Sequence, residues 1–504
     1  MTIVQRDACD ASRRELLACA GDKKNVFLLT CYMLGGPEGR NLGAPGYSHD
    51  FVARLFRPLL ERWGEVVEVR DAQGDLQTLV DDCIRKGRQP VHFSVLPFQD
   101  VCLAKDAPNI VMPAWEYPDV PNEPFDSNPQ NDWAATANRC DLCLVSGPFT
   151  ANALTRGGTK TPIRVVPVPT PNGYRDLPAW HATQRRTLAC RAYLFQQSSD
   201  DGTRPCGPTA PRNAVFGKAL EGFVRGAAKA AMGEAAYNTL SGLTKSLKNS
   251  LQRRQARRTF DLPYPKVDSL ELTGVVYTTI FNPDDGRKNW NDLLTGYLCA
   301  LADRDDATLV VKLIARKPKS VRKVIDYYLD RGIKHRCKLA FICDFLTDEQ
   351  MLELCQGTTF YLQSTKAEGN CLPLMNYLAA GRPGISPDHS SMSDYFSDHS
   401  GFVVESHPEP AAWPHEQRQR LRTTWGRIVW TSLRDQIWSS YRMATEDPSA
   451  YGALSASCRA HMHAWADSDA VAQRLDAAIA ALLHDRQQVA IPAADHAAVA
   501  LVAA

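Results

Sequence analysis

This sequence has little that would commit it to a membrane, a secreted scaffold or a nucleic-acid partner. No run approaches the roughly 20 consecutive apolar residues that a spanning helix needs. Lys and Arg number 58 against 56 Asp and Glu, a formal charge of +2, so no whole-molecule field draws the chain to nucleic acid. The start, Met1-Thr-Ile-Val-Gln-Arg-Asp7, has no apolar leader, and the 15 cysteines are spread over 504 residues rather than packed into a small domain. A reduced, cytoplasmic setting is therefore expected. Cys140-Asp-Leu-Cys143 has no second ligand pair at zinc-finger spacing and sits in a β-prone run, which favours strand cysteines over a metal or redox centre. No strict G-x-G-x-x-G follows the first apolar strand, which counts against a nicotinamide-dependent oxidoreductase.

What is present is enough apolar residue, 44% of the chain with 23% charged, to build two sizeable cores. In the first half, short apolar runs at 25–31, 65–69, 90–95, 109–113, 141–145 and 163–167 alternate with helix-like stretches. Strands that are apolar almost throughout, separated by helices, predict a parallel sheet covered on both faces. Ligands of such sheets sit at the strand C-terminal ends, which singles out the glycine-rich loop 35–46 with Gly46, then His92, then Trp115-Glu116. His92 lies between Val91 and Phe93 and reads equally as a core histidine. Residues 174–265 interrupt the rhythm, and within 212–258 ten Lys and Arg face only Glu221 and Glu234. This stretch predicts amphipathic helices that either rest on an anionic membrane surface or form a solvated insert; it has few aromatics for stacking bases.

From Val275 the α/β rhythm resumes, and here the chemistry-bearing residues concentrate. The strand 275–280 leads into Asn282-Pro-Asp-Asp-Gly286-Arg287-Lys288-Asn289, and Lys312 ends the next strand. Further on, a β-prone run passes through Ser364-Thr-Lys-Ala-Glu368-Gly369-Asn370-Cys371-Leu372-Pro373 into a helix that Gly381-Arg-Pro383 stops. Backbone N–H groups at such a helix start favour an anion. Glu368 would repel a phosphate but can accept hydrogen bonds from a sugar attached to one. Arg287 and Lys288, in a loop facing the same ligand, would hold the diphosphate, with Lys312 as a further candidate.

The segment around Glu368 resembles the signature of retaining glycosyltransferases of family 4: a Glu-Gly loop, Leu-Pro, a second acidic station eight positions on, then Ala-x-Gly-x-Pro. Gly286-Arg287-Lys288-Asn289 is similar to the basic station of that family, and Trp115-Glu116, Ser146-Gly-Pro-Phe149 and Val165-Val-Pro167 to its acceptor half. The resemblance implies an α/β fold of two Rossmann-like domains, GT-B, with closing C-terminal helices. It implies domains at 20–173 for the acceptor and 266–425 for the nucleotide sugar, with the insert 174–265 between them, closing helices at 426–485 and a flexible tail at 486–504. It also implies a metal-independent hexose transfer from a nucleotide diphosphate sugar to a glycan or lipid-linked acceptor, with retention, on the cytoplasmic face of a membrane. Glu368 would contact the donor hexose; Gly369, Asn370, Cys371 and Leu372 would face the donor; Glu116 would orient the acceptor and His92 the transferring sugar. No cofactor is expected beyond the donor itself. At the ribose station the chain has Asn376 instead of Glu, and this departure keeps open a non-catalytic scaffold and an epimerase on the same fold.

Overall fold

The computed structural model describes residues 24–32, 47–196, 262–315, 317–413 and 422–489. Gly46 and the basic stretch 212–258 lie outside them.

The first domain is built from β1 (Asn25–Thr30), α1 (Tyr47–Leu60), β2 (Glu65–Glu68), α2 (Ala72–Arg85), β3 (Gln89–Ser94), β4 (Asn109–Val111), α3 (Trp133–Ala137), β5 (Leu142–Val145), α4 (Pro148–Arg156) and β6 (Ile163–Val165). All six strands run parallel in the order β2-β1-β3-β4-β5-β6. Every residue of β1 is buried because both faces are covered: Phe27 and Leu29 pack against Phe56 and Leu60 of α1, Val26 and Leu28 against Leu76 and Val80 of α2.

A linker with the short helix α5 (Asn172–Arg175) leads to the second domain: β7 (Arg186–Phe195), β8 (Lys266–Leu272), β9 (Val275–Phe281), α6 (Trp290–Leu301), β10 (Ala307–Leu313), α7 (Pro318–Arg331), β11 (Lys338–Ile342), α8 (Asp348–Gly357), β12 (Phe360–Leu362), α9 (Leu372–Ala379), β13 (Gly384–Ser386) and β14 (Gly401–Val403). The sheet order is β14-β13-β12-β9-β10-β11-β7-β8. Its parallel part is doubly wound, so the chain reverses direction across the sheet between β9 and β12, and that crevice is where such sheets bind ligands.

The expected insert 174–265 needs correction at its start. β7 pairs antiparallel with β11 and with β8, extending the second sheet at its edge. Its alternating burial, Leu188 and Cys190 inside with Arg186, Thr187 and Ala189 outside, is the pattern of an antiparallel strand and differs from the continuous apolar runs that mark the parallel ones.

After β14 a two-stranded hairpin, β15 (Ser406–Ala412) and β16 (Arg422–Ile428), precedes three helices, α10 (Trp430–Glu446), α11 (Pro448–Ala466) and α12 (Ser468–Val489). Helix α10 closes on the second domain, where Gly296 leaves room for Leu433 and Ile437 against α6. Helix α12 returns to the first domain: Val471, Leu475 and Ile479 join its core, and Asp476 accepts from Trp63 Nε1 at 2.6 Å and pairs with Arg62 at 2.8 Å. Two Rossmann-like domains with closing helices make this the GT-B architecture.

Candidate functional site

Two loops meet at the reversal point. In the loop after β9, Asp285 Oδ1 accepts from the backbone of Arg287 at 3.2 Å and starts a 3-10 turn over Gly286–Lys288. Asn289 follows in a left-handed conformation, φ 49°, and donates through Nδ2 to the carbonyl of Ser364 at 3.1 Å, while Ser364 Oγ donates back to Asn289 O at 2.9 Å. The Arg287 carbonyl accepts from Lys366 N at 2.7 Å and Thr365 Oγ1 at 3.0 Å. The loops after β9 and β12 are thus stitched into one unit before any side-chain charge is considered.

That unit brings together Arg287, Lys288 and Glu368. Lys288 Nζ donates to Glu368 Oε1 at 2.5 Å. Arg287 donates through Nη1 to Ala367 O at 2.8 Å, with Glu368 Oε2 3.7 Å from the same nitrogen; Nε lies 3.1 Å from Asp285 Oδ2, and Nη2 3.1 Å from Glu116 Oε1 of the first domain. The Glu368 side chain is only 6% exposed. Burial alone would push its carboxyl up, but Lys288 and Arg287 outweigh that and hold it below the usual carboxylate range. For Arg287, burial works against the charge, and Glu116, Glu368 and Asp285 more than restore it, so its pKa lies above the ordinary value.

Glu116, Arg287, Lys288 and Glu368, expected from sequence, therefore converge. Gly286 sits in the same turn, although a side chain there would meet nothing within 4 Å. Gly369 lies at the domain seam: a Cβ would stand 3.3 Å from Trp115 N, and Ser146 Oγ donates to its carbonyl at 3.4 Å. The Asn370 carbonyl accepts from Tyr395 at 2.7 Å. Cys371 precedes α9 at φ 51°, its thiol pushed up to about 12 by burial and donating to Gln363 Oε1 at 2.8 Å. Leu372 and Pro373 then open α9, whose first amides face this end of the site. Asn376, one turn on, lies against the hydroxyl of Tyr174 from α5.

Three expectations need correction. His92 is fully buried in mid-strand: its Nδ1 donates to Asn109 Oδ1 at 2.9 Å, its Nε2 accepts from Thr30 Oγ1 at 2.9 Å, and burial lowers its pKa to about 4. It is a satisfied core histidine. Lys312 is 2% exposed, donates to Leu313 O at 3.2 Å and neighbours Cys343, Asp344 and Cys190, one strand away from the reversal point; burial lowers its pKa to about 8. Trp115, singled out with Glu116 as facing a ligand, is instead 3% exposed, packed among Trp133, Trp413 and Tyr117.

Sequence reasoning quoted Asp285 without giving it a role, although a carboxylate two residues before an arginine in a tight turn is a signal for a turn cap. Asp394, marked by the sequence only as a weak candidate and read as structural, accepts through its two oxygens from Phe149 N at 3.1 and 3.2 Å and so caps α4 from across the seam. Among the described residues no group of His, Cys, Asp or Glu is arranged to hold a metal ion, and no helix is long and apolar enough to cross a membrane.

No family model and no curated protein matches this sequence. Among solved structures, sucrose-phosphate synthase from Thermosynechococcus elongatus is similar over 92% of this chain and 99% of its own, at 12% identity and a TM-score of 0.49. HepE from Anabaena, solved in complex with UDP and glucose, is similar over 91% of this chain and 99% of its own, at 11% identity and a TM-score of 0.47. The trehalose-6-phosphate synthase OtsA is similar over 81% and 75%, at 11% identity and a TM-score of 0.43. Likeness this distant fixes neither substrate nor chemistry, which must come from the side chains described above.

Proposed function

We propose that the protein is a glycosyltransferase that moves a hexose from a nucleoside diphosphate sugar to a glycan or lipid-linked acceptor without a metal ion. The carrying observation is the convergence of Arg287, Lys288 and Glu368 where β9 and β12 part, at the start of α9 and facing Glu116 of the other domain. When the bond from C1 of the sugar to the diphosphate oxygen breaks, negative charge builds on the leaving group. Arg287 and Lys288 stabilise that charge more than the ground state, which lowers the barrier. Glu368 accepts from sugar hydroxyls and fixes the ring. In a retaining, front-face reaction the acceptor oxygen bonds C1 on the side the phosphate leaves, and its proton passes to the departing phosphate oxygen. The basic stretch 212–258 would hold the protein on an anionic membrane surface where a lipid-linked acceptor resides.

Thermal-shift screening against UDP-, GDP-, ADP-, CDP- and dTDP-sugars tests the reading. One base should raise the melting temperature, and Arg287→Ala or Lys288→Ala should erase the shift; a flat response across the panel would refute it. A second reading, a non-catalytic nucleotide-sugar sensor, draws on Asn376 beside Tyr174 at the ribose station. Binding without transfer to any acceptor, unrescued by Asn376→Glu, would favour it.

A further inference from the structure

The charges at the seam do not suit a diphosphate as they stand. Glu116, Asp285 and Glu368 outnumber Arg287 and Lys288, so the cluster carries one net negative charge, and every terminus of the Arg287 guanidinium is engaged. For an anion of higher charge to enter, a carboxylate must leave. Asp285 cannot, because one oxygen caps its own turn while the other holds Arg287 Nε. Glu368 cannot, because its amide donates to Ser390 Oγ at 3.0 Å and its carbonyl accepts from Ser391 Oγ at 2.7 Å, while its carboxylate holds Lys288. Glu116 can, since it arrives from the other domain on the loop between β4 and α3 and makes one ion pair in the cluster.

Its neighbour supplies an independent observation. Tyr117 is 1% exposed, and its hydroxyl is buried with no hydrogen-bond partner among the described residues. Tyr117 directly follows Glu116 on the loop that reaches Arg287, and besides its burial the charges of Glu116, Arg287, Asp285 and Glu368 bear on its hydroxyl. A buried donor left unpaired costs on the order of 1–3 kcal/mol, a penalty that a ligand oxygen would remove.

We propose that Glu116 and Tyr117 belong to the donor site itself: Glu116 pairs with Arg287 where a phosphate oxygen would bind, and a nucleoside diphosphate displaces that carboxylate and accepts from the Tyr117 hydroxyl. This rests on the donor-site reading above and extends it. The first domain then contributes directly to phosphate binding, and Glu116 acts as an internal competitor for Arg287. Glu116, once released from Arg287, is free to meet the acceptor.

Titration calorimetry of the full chain tests this, using the nucleoside diphosphate selected by the thermal-shift panel and, as control, the nucleoside of the same base. Glu116→Gln should tighten diphosphate binding about tenfold, because a neutral amide competes poorly for a guanidinium. Tyr117→Phe should weaken it about fivefold through loss of one hydrogen bond. Nucleoside affinity should be unchanged in both, which also shows that the variants are folded; if Glu116→Gln fails to fold, Glu116→Asp, with a shorter reach, should also tighten the diphosphate. If the wild type binds the diphosphate and neither Glu116 variant binds it more tightly, the proposal is wrong while the donor site stands. If no variant binds any diphosphate, the donor-site reading has failed and this inference with it.

Discussion

Glu368 is the residue on which most of the proposed chemistry turns, and its surroundings say how it must behave. Nearly buried and held by two cations, it stays charged through neutral pH. Its stabilising contribution is present above the unfolded carboxyl pKa of about 4.3 and is lost as pH falls through the lower folded value. Glu368→Gln should cut transfer by about 100-fold or more, a typical loss for a group that orients the reacting sugar, while nucleoside diphosphate affinity, measured without the sugar, is maintained or improved. These charged residues were legible in the sequence because each follows a short apolar strand in a loop too polar to be core. The orphan hydroxyl of Tyr117 was not: an aromatic beside Trp115 reads as packing, and only the fold buries its oxygen without a partner on the loop that carries Glu116 to Arg287. His92 shows the opposite failure, since its apolar neighbours pointed to the core and only an expected place near a strand end suggested chemistry, whereas it lies in mid-strand.

At the scale of single elements, two helices are fixed from outside their own sequence. Helix α9 starts at the site, and its far end is tied by Arg382, fully buried, which donates to Ala380 O at 3.2 Å, Cys355 O at 3.2 Å and Pro178 O at 2.9 Å, and by Arg459, which donates to Ala380 O at 2.8 Å. Arg382→Met would leave several buried carbonyls unpaired and should cost about 3 kcal/mol or more, read as a lowered denaturation midpoint. Helix α4 is held by Asp394 from the other domain, and burial pushes that carboxyl up to about 6 although the Phe149 amide pulls it down. A raised carboxyl pKa stabilises the fold fully below the unfolded value near 4 and loses that contribution as pH rises through 6. The melting temperature of Asp394→Asn should therefore gain on the wild type between pH 4 and 7, with no further gain above. These ties were not legible in advance, because partners such as Asp394 and Phe149, or Arg382 and Pro178, lie more than 200 positions apart and carry no shared pattern, whereas the helices themselves followed from their apolar spacing.

For the molecule as a whole, the hairpin β15 and β16 acts as a strap across the seam. Gly426 N donates to Lys366 O at 2.8 Å on the Glu368 loop, and Trp413 at its other end packs against Trp115 at 5.2 Å and Phe125 at 5.5 Å in the first domain. Trp413→Ala should loosen the seam, seen as a larger radius of gyration by small-angle scattering, with a stability loss of about 3–5 kcal/mol. The two-sheet plan was readable from the alternation of apolar runs, but β7 was not, since its alternating residues look like a solvated segment until the edge they join is known. That edge carries a last consequence. β7 and β8 lie side by side, with Tyr193 opposite Lys266, so the chain departs and rejoins the sheet at neighbouring points, three strands beyond β9. Both strands lie on the flank of the sheet away from β12, so sequence changes that leave β7 and β8 paired should leave the geometry of Arg287, Lys288 and Glu368 as it is.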